Sequence, residues 1–253
     1  MLLHDSIVQK IYLIDNSAFD ELREVASLSS KVKYLFLNRN VGFGAGHNIA
    51  MKEAIREESQ FHIVLNPDIV FSAGVVENIA NYMEDKLDIG LIMPKVVYPD
   101  GSIQYLAKML PAPFDWIGRR FFPIKTVTER RNRIFEMRSS GYDKIMNIPY
   151  LSGCFMFLRI SALKDVGLFD EHIFMYGEDT DLTRRIHQKY RTLFYPNVTV
   201  THVHNKESYR NYKLLWIHIK AAIYYFNKWG WLIDKERTNV NRELKRKYLT
   251  ELT

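Results

Sequence analysis

Short apolar runs recur along the amino-terminal part of this chain, and most stop at an acid or an amide. Lys10–Ile14 ends at Asp15, Asn16 and Ser17; Val32–Leu37 ends at Asn38, Arg39 and Asn40; Phe61–Leu65 ends at Asn66, Pro67 and Asp68. A fourth run covers Ile89–Met93, and helical patterns over Gly46–Glu58 and Ala73–Lys86 lie between the runs. Buried strands alternating with helices predict an α/β fold: a mostly parallel central sheet with right-handed crossovers, flanked by helices. Open sheets of this kind bind ligands beyond the carboxyl ends of their strands, where Asp15, Asn40, Asn66 and Asp68 fall.

The rhythm breaks over residues 111–148, where Phe114, Trp116, Arg119, Arg120, Arg130, Arg131 and Arg133 crowd together. This segment reads as an excursion over the sheet or a mobile lid. The 253 residues are enough for one α/β domain with a small appendage, and 47% hydrophobic and 13% aromatic residues describe an ordered core. A single cysteine, Cys154, excludes an internal disulfide framework and a cysteine-based zinc cluster. A net charge of +6 is modest for this length and favours a polyanionic ligand or an acidic membrane surface only weakly. The opening residues do not form a signal sequence and no apolar run is long enough to cross a bilayer, so the expected location is the cytoplasm.

Several segments carry competing readings. Glu178, Asp179 and Asp181 follow Gly177, and Leu182–Ile186 reads as the start of a helix. Carboxylates this close either cap that helix in solvent, bind a cation, or retain a proton for chemistry. Asp68 after a strand suits a hard divalent cation, and it equally suits a turn that closes the strand. The glycines of Asn40–Asn48 permit close approach by a ligand or by a neighbouring helix. His202 and His204 alternate on one face of an extended segment, where one could complete a metal site or both could be structural.

Taken in order, these segments resemble the family 2 glycosyltransferases of GT-A fold, and among them the rhamnosyltransferase-like group that builds bacterial cell-surface polysaccharides. The matching pieces are Ile14–Ser17, Asn40–Asn48, Leu65–Asp68, Leu151–Arg159, Val166–Glu171, Phe174–Leu182 and His202–His204, spanning roughly residues 10 to 210. The resemblance implies that Asp15 contacts the base or ribose of a nucleotide sugar, and that Asn40 and Gly42 shape that side of the cleft. Asp68 stands at the last acid of the family's Asp-x-Asp motif, whose first position is Asn66 here, and would bind Mg²⁺ or Mn²⁺. His202 or His204 would reach the metal or the diphosphate. Asp179 would be the catalytic base of an inverting transfer, with Gly153, Tyr176 and Glu178 lining the donor or acceptor pocket.

The implied partners are a dTDP- or UDP-sugar donor (rhamnose among the candidates) and a saccharide or polyprenyl-linked acceptor, with no nucleic acid; a homodimer is one candidate assembly, which the sequence does not decide. The family's usual opening strand and helix have no counterpart before Lys10, so the base pocket is expected to be incomplete. A non-catalytic GT-A remnant or regulatory subunit with an incomplete donor site is the alternative on that ground. The domain is expected to cover residues 1–208 and a helical extension residues 209–253. In the extension Trp216, Ile217, Ala221, Ile223, Tyr224, Phe226, Trp229 and Trp231 mix with Lys213, Lys220 and Lys228. That mixture suits either peripheral membrane contact or a helix packed on the sheet.

Overall fold

The computed structural model describes residues 2–4, 6–118, 125–203 and 212–249. The strands are β1 (Ile11–Asp15), β2 (Val32–Phe36), β3 (Phe61–Leu65), β4 (Ile69–Val70), β5 (Ile89–Val97), β6 (Ala107–Lys108), β7 (Met146–Asn147), β8 (Tyr150–Leu151), β9 (Phe155–Arg159) and β10 (Arg191–His202). The helices are α1 (Phe43–Arg56), α2 (Val75–Glu84), α3 (Lys125–Phe135), α4 (Ile160–Val166), α5 (Glu178–His187), α6 (Tyr212–Trp229) and α7 (Lys235–Tyr248). The main sheet runs β3-β9-β5-β10-β4, with β7 paired to β10.

The α/β layering is the expected one, but the pairing is mixed rather than mostly parallel. β5 and β10 are parallel, while β9 lies antiparallel to both β3 and β5. The reason is where the chain re-enters. After the excursion it returns at the carboxyl edge of β3, with Phe155 opposite Leu65, and must run back along the sheet. This reversal places Ser152–Cys154 beside the strand ends, where Asn66 N–H donates to the Cys154 carbonyl over 3.0 Å. The excursion itself is anchored: Phe135, Met137 and Tyr142 are buried in the main core.

Alternate residues of each central strand enter opposite layers, as pleating requires. Leu91, Met93, Met156 and Leu158 face a core shared with Met51 of α1 and with Leu182 and Ile186 of α5. Ile92, Phe155 and Phe157 face Ile79 and Met83 of α2. β1 and β2 form a separate parallel pair that is not hydrogen-bonded to the main sheet among the described residues. Helix α1 packs against both β1 and β3 and so links the two sheets.

Two helix starts differ from expectation. α1 begins at Phe43, three residues early, so Gly44 and Gly46 are helical. A Cβ on Gly44 would lie 2.9 Å from Phe169 Cβ, so close packing on the 169–174 segment decides the residue there. α5 begins at Glu178, not Leu182, and the acidic run forms its first turn. Anionic side chains there face the positive end of the helix dipole.

Candidate active site

A cleft of about 1280 Å³ opens at the carboxyl edge of the main sheet. It gathers Asn66, Asp68, Gly153, Tyr176, Glu178, Asp179 and His202, seven of the positions singled out in the sequence. Asp15, Asn40 and Gly42 do not line it. Asp15 is buried at the end of β1, where Oδ1 accepts from Ser17 N–H over 2.9 Å and Oδ2 from the Tyr34 hydroxyl over 2.8 Å. Hydrogen bonding from Ser17 is the main reason its pKa is lowered. Asn40 Oδ1 closes a turn by accepting from Gly42 N–H at 2.9 Å, and Gly42, at φ 92°, precedes α1. His204 lies outside the described residues.

Asp179 sits under the Gly153 turn. Its Oδ2 accepts from Gly153 N–H over 2.9 Å and its Oδ1 from Thr180 N–H over 2.7 Å. Burial raises its pKa against these bonds, and the positive charge of Lys108 acts the other way. Glu178 is buried beside it, and its Oε2 makes no hydrogen bond among the described residues. Burial, then the neighbouring Asp179 charge, pushes Glu178 up to about 8. The pair therefore resists carrying two negative charges near neutral pH.

On the opposite wall His202, the last residue of β10, faces Asp68, with Nε2 3.2 Å from Oδ2. Gln104 fixes the imidazole from behind. Its Nε2 donates to the His202 carbonyl over 3.0 Å, which leaves Oε1 to accept from His202 Nδ1–H at 3.0 Å. With Nδ1 protonated, the Nε2 lone pair points at a carboxylate oxygen. Two such lone pairs repel unless a proton or a cation lies between them. Asp68 Oδ1 is buried with no hydrogen bond among the described residues. An imidazole held by a side-chain amide beside an unsatisfied carboxylate fits a divalent metal that takes its other ligands from phosphate and water. No group of three His, Cys, Asp or Glu side chains forms a complete metal cage among the described residues.

The remaining wall is aromatic. The Trp116 indole lies across Gly177, whose φ is 110° and where a Cβ would fall 2.4 Å from the ring. Tyr176, also left-handed at φ 71°, and Trp116 both contact the His218 ring of α6, with centroids 5.2 and 6.1 Å away. Gln104, Lys108, Trp116 and His218 line the cleft but were not among the sequence candidates. A buried glutamine far from its histidine leaves no local pattern, whereas Trp116 and the aromatics of α6 were at least visible as compositional anomalies. Cys154 is buried and its thiol is pushed up to about 12, so it is not a nucleophile here.

With this geometry in view, the comparison with known proteins is decisive for family. The description "Glycosyltransferase like family 2" matches residues 5–220. The chain belongs to this family. It is 26% identical over 208 residues to an N-acetylglucosaminyl-diphospho-decaprenol L-rhamnosyltransferase of Mycobacterium tuberculosis (strain H37Rv), covering 76% of this chain. The same match spans 66% of that relative's length, just under two thirds. Solved structures of similar shape include GalNAc-T7 with UDP, GalNAc and Mn²⁺, at TM-score 0.58 and 16% identity over 79% of this chain and 38% of that one. TarS of S. aureus superposes at TM-score 0.53 and 16% identity, covering 95% of this chain and 64% of that one. A Pyrobaculum calidifontis mannosyltransferase with GDP-Man and Mn²⁺ gives TM-score 0.53 and 13% identity, covering 96% and 67%. At these identities the structural likeness establishes the GT-A fold.

Proposed function

We propose that this family member transfers a sugar, rhamnose being the first candidate, from a nucleoside-diphosphate donor to a lipid-linked saccharide acceptor, with inversion at the anomeric carbon. The observation that carries this reading is the placement of Asp179 and Glu178 in the same cleft as the Asp68–His202 pair. Such a transfer needs a base for the acceptor hydroxyl and a counter-charge for the departing diphosphate. A divalent cation held by Asp68 and His202 would supply the second. Asp179 supplies the first: its carboxylate takes the acceptor proton as the hydroxyl oxygen bonds to the sugar carbon and the diphosphate oxygen leaves. The Gly153 and Thr180 N–H groups orient it, and burial raises its basicity. Trp116 and Tyr176 offer flat apolar faces against which sugar rings can stack. The nature of the acceptor is inferred from the rhamnosyltransferase relative, whose name specifies a decaprenol-linked sugar.

Asp179→Asn is expected to lower transfer by roughly 10²–10⁴-fold while nucleotide affinity stays near that of the wild type. Turnover at the wild-type rate would remove Asp179 from the role of base. One observation favours a second reading, a non-catalytic shell. Among the described residues the β1–β2 pair carrying Asp15 is not hydrogen-bonded to the sheet whose β3–β4 turn carries Asp68. Failure of the folded protein to bind any nucleoside diphosphate would favour it.

A further inference from the structure

Helix α6 has two faces with different fates. Leu214, Leu215, His218 and Ile219 line the cleft, and Ala221, Ala222, Tyr225 and Phe226 are buried. At about 3.6 residues per turn, Tyr212, Trp216, Lys220, Ile223 and Asn227 fall together on the other side. Trp216 is 57% exposed and Ile223 40%. No acidic residue occurs anywhere in Tyr212–Trp229, and the Lys220 ammonium rests 5.8 Å from the centre of the Trp216 ring. The aromatics and lysines of this helix thus divide into an inner packing face and an outer apolar and cationic one.

The outer face continues into the turn between α6 and α7. Trp231 Nε1–H donates to Asn227 Oδ1 over 2.8 Å, and Leu232 and Ile233 follow at 89% and 84% exposure. This turn is held by the structure around it. The buried Arg237 guanidinium donates to the carbonyls of Gly230, Trp231 and Leu232 at 3.1 to 3.4 Å. Buried Asp234 caps α7 through Arg237 N–H and receives two 2.9 Å bonds from Arg184. Two large aliphatic side chains are therefore fixed outward by buried polar groups. Lys235 is exposed next to them, and Arg242, Lys245, Arg246 and Lys247 of α7 add positive charge against Glu243.

We propose that the outer face of α6 and the Trp231–Ile233 turn dock on an anionic lipid bilayer, with Leu232, Ile233 and Trp216 entering the interface and the lysines meeting lipid phosphates. A cationic, acid-free helix face with exposed tryptophan and a protruding aliphatic pair matches that surface in charge and polarity. Because the same helix walls the cleft, docking holds the site beside the membrane. The purpose of the contact rests on the lipid-linked acceptor proposed above; the contact itself does not.

The test is flotation of the full chain with phosphatidylcholine vesicles, with and without phosphatidylglycerol, in the absence of nucleotide and acceptor. Binding is expected only with the anionic lipid, weakening as salt rises. The Leu232→Asp/Ile233→Asp double variant should reduce the bound fraction by about tenfold or more, and Lys220→Glu should reduce it less. Both should retain wild-type nucleotide binding and transfer to a soluble acceptor, so a failure of the catalytic reading registers separately. Absence of flotation, equal flotation on both vesicles, or unchanged binding by the double variant would overturn the proposal. So would a lipid-free dimer that the double variant dissolves, since a second copy would then own this face.

Discussion

Gln104 shows how much of a site can depend on one residue that carries no chemistry of its own. It holds His202 in a single tautomer through paired 3.0 Å contacts, which aims Nε2 at Asp68. Gln104→Leu keeps the bulk but releases the ring, and should weaken metal-dependent nucleotide binding about 10–100-fold; titration with Mn²⁺ present checks this. Asp68 and His202 were legible as candidates because each lies at or just past a strand end. Gln104 was not, since its partner is 98 residues away. Glu178 gives a second expectation. The folded chain holds its proton more tightly than the unfolded chain, so its contribution to stability is complete below the ordinary value of 4.5 and is lost as pH rises through about 8. Thermal melts of Glu178→Gln should show a flatter pH dependence over that window, with the variant the more stable at its upper end. An unchanged profile would place the proton elsewhere.

At the scale of elements, α5 is tied to the carboxyl-terminal helices. Its first turn faces the cleft, and farther along Asp181 accepts from Trp229 Nε1–H and pairs with Arg185 and Lys228, each at 2.8 Å. Arg184 is buried, 2.9 Å from Asp234 and 2.7 Å from Glu236, with its guanidinium 4.0 Å from the centre of the Trp229 ring. The carboxyl-terminal helices thus brace the helix that carries Glu178 and Asp179. Asp234→Ala removes the α7 cap and leaves the Arg184 charge poorly compensated, so urea unfolding should show a loss of about 3–5 kcal/mol. A loss below about 1 kcal/mol, the range of exposed ion pairs, would mean the pair is not a brace. The acidic run was legible as a candidate site because like charges this close need a helix start, a cation or a retained proton. The direction of β9 was not, because local patterning fixes which residues face the core and says nothing of which way a strand runs. The start of α1 was misplaced because glycines read as loop, whereas here Gly44 lets the helix approach Phe169.

For the whole molecule, residues from β3, the β8–β9 turn, α5 and β10 converge at one sheet edge, and α6 closes a further side. The strand-end rule located that edge from sequence alone. The rule could not show that Asp15 and Asn40 sit on the separate β1–β2 side, because sheet breaks depend on pairing between distant segments. Nor could it show that α6 supplies a wall of the cleft. Among the described residues no helix is long and apolar enough to cross a membrane. We infer that Asp68 and His202 form the metal-assisted nucleotide site of a working transferase. Calorimetric titration of the protein with UDP and with dTDP, each with and without Mn²⁺, tests it most directly. One of the two is expected to bind, only with Mn²⁺ present, and Asp68→Ala to abolish binding. Equal affinity with and without the metal, or no binding of either nucleotide by the folded protein, would contradict it.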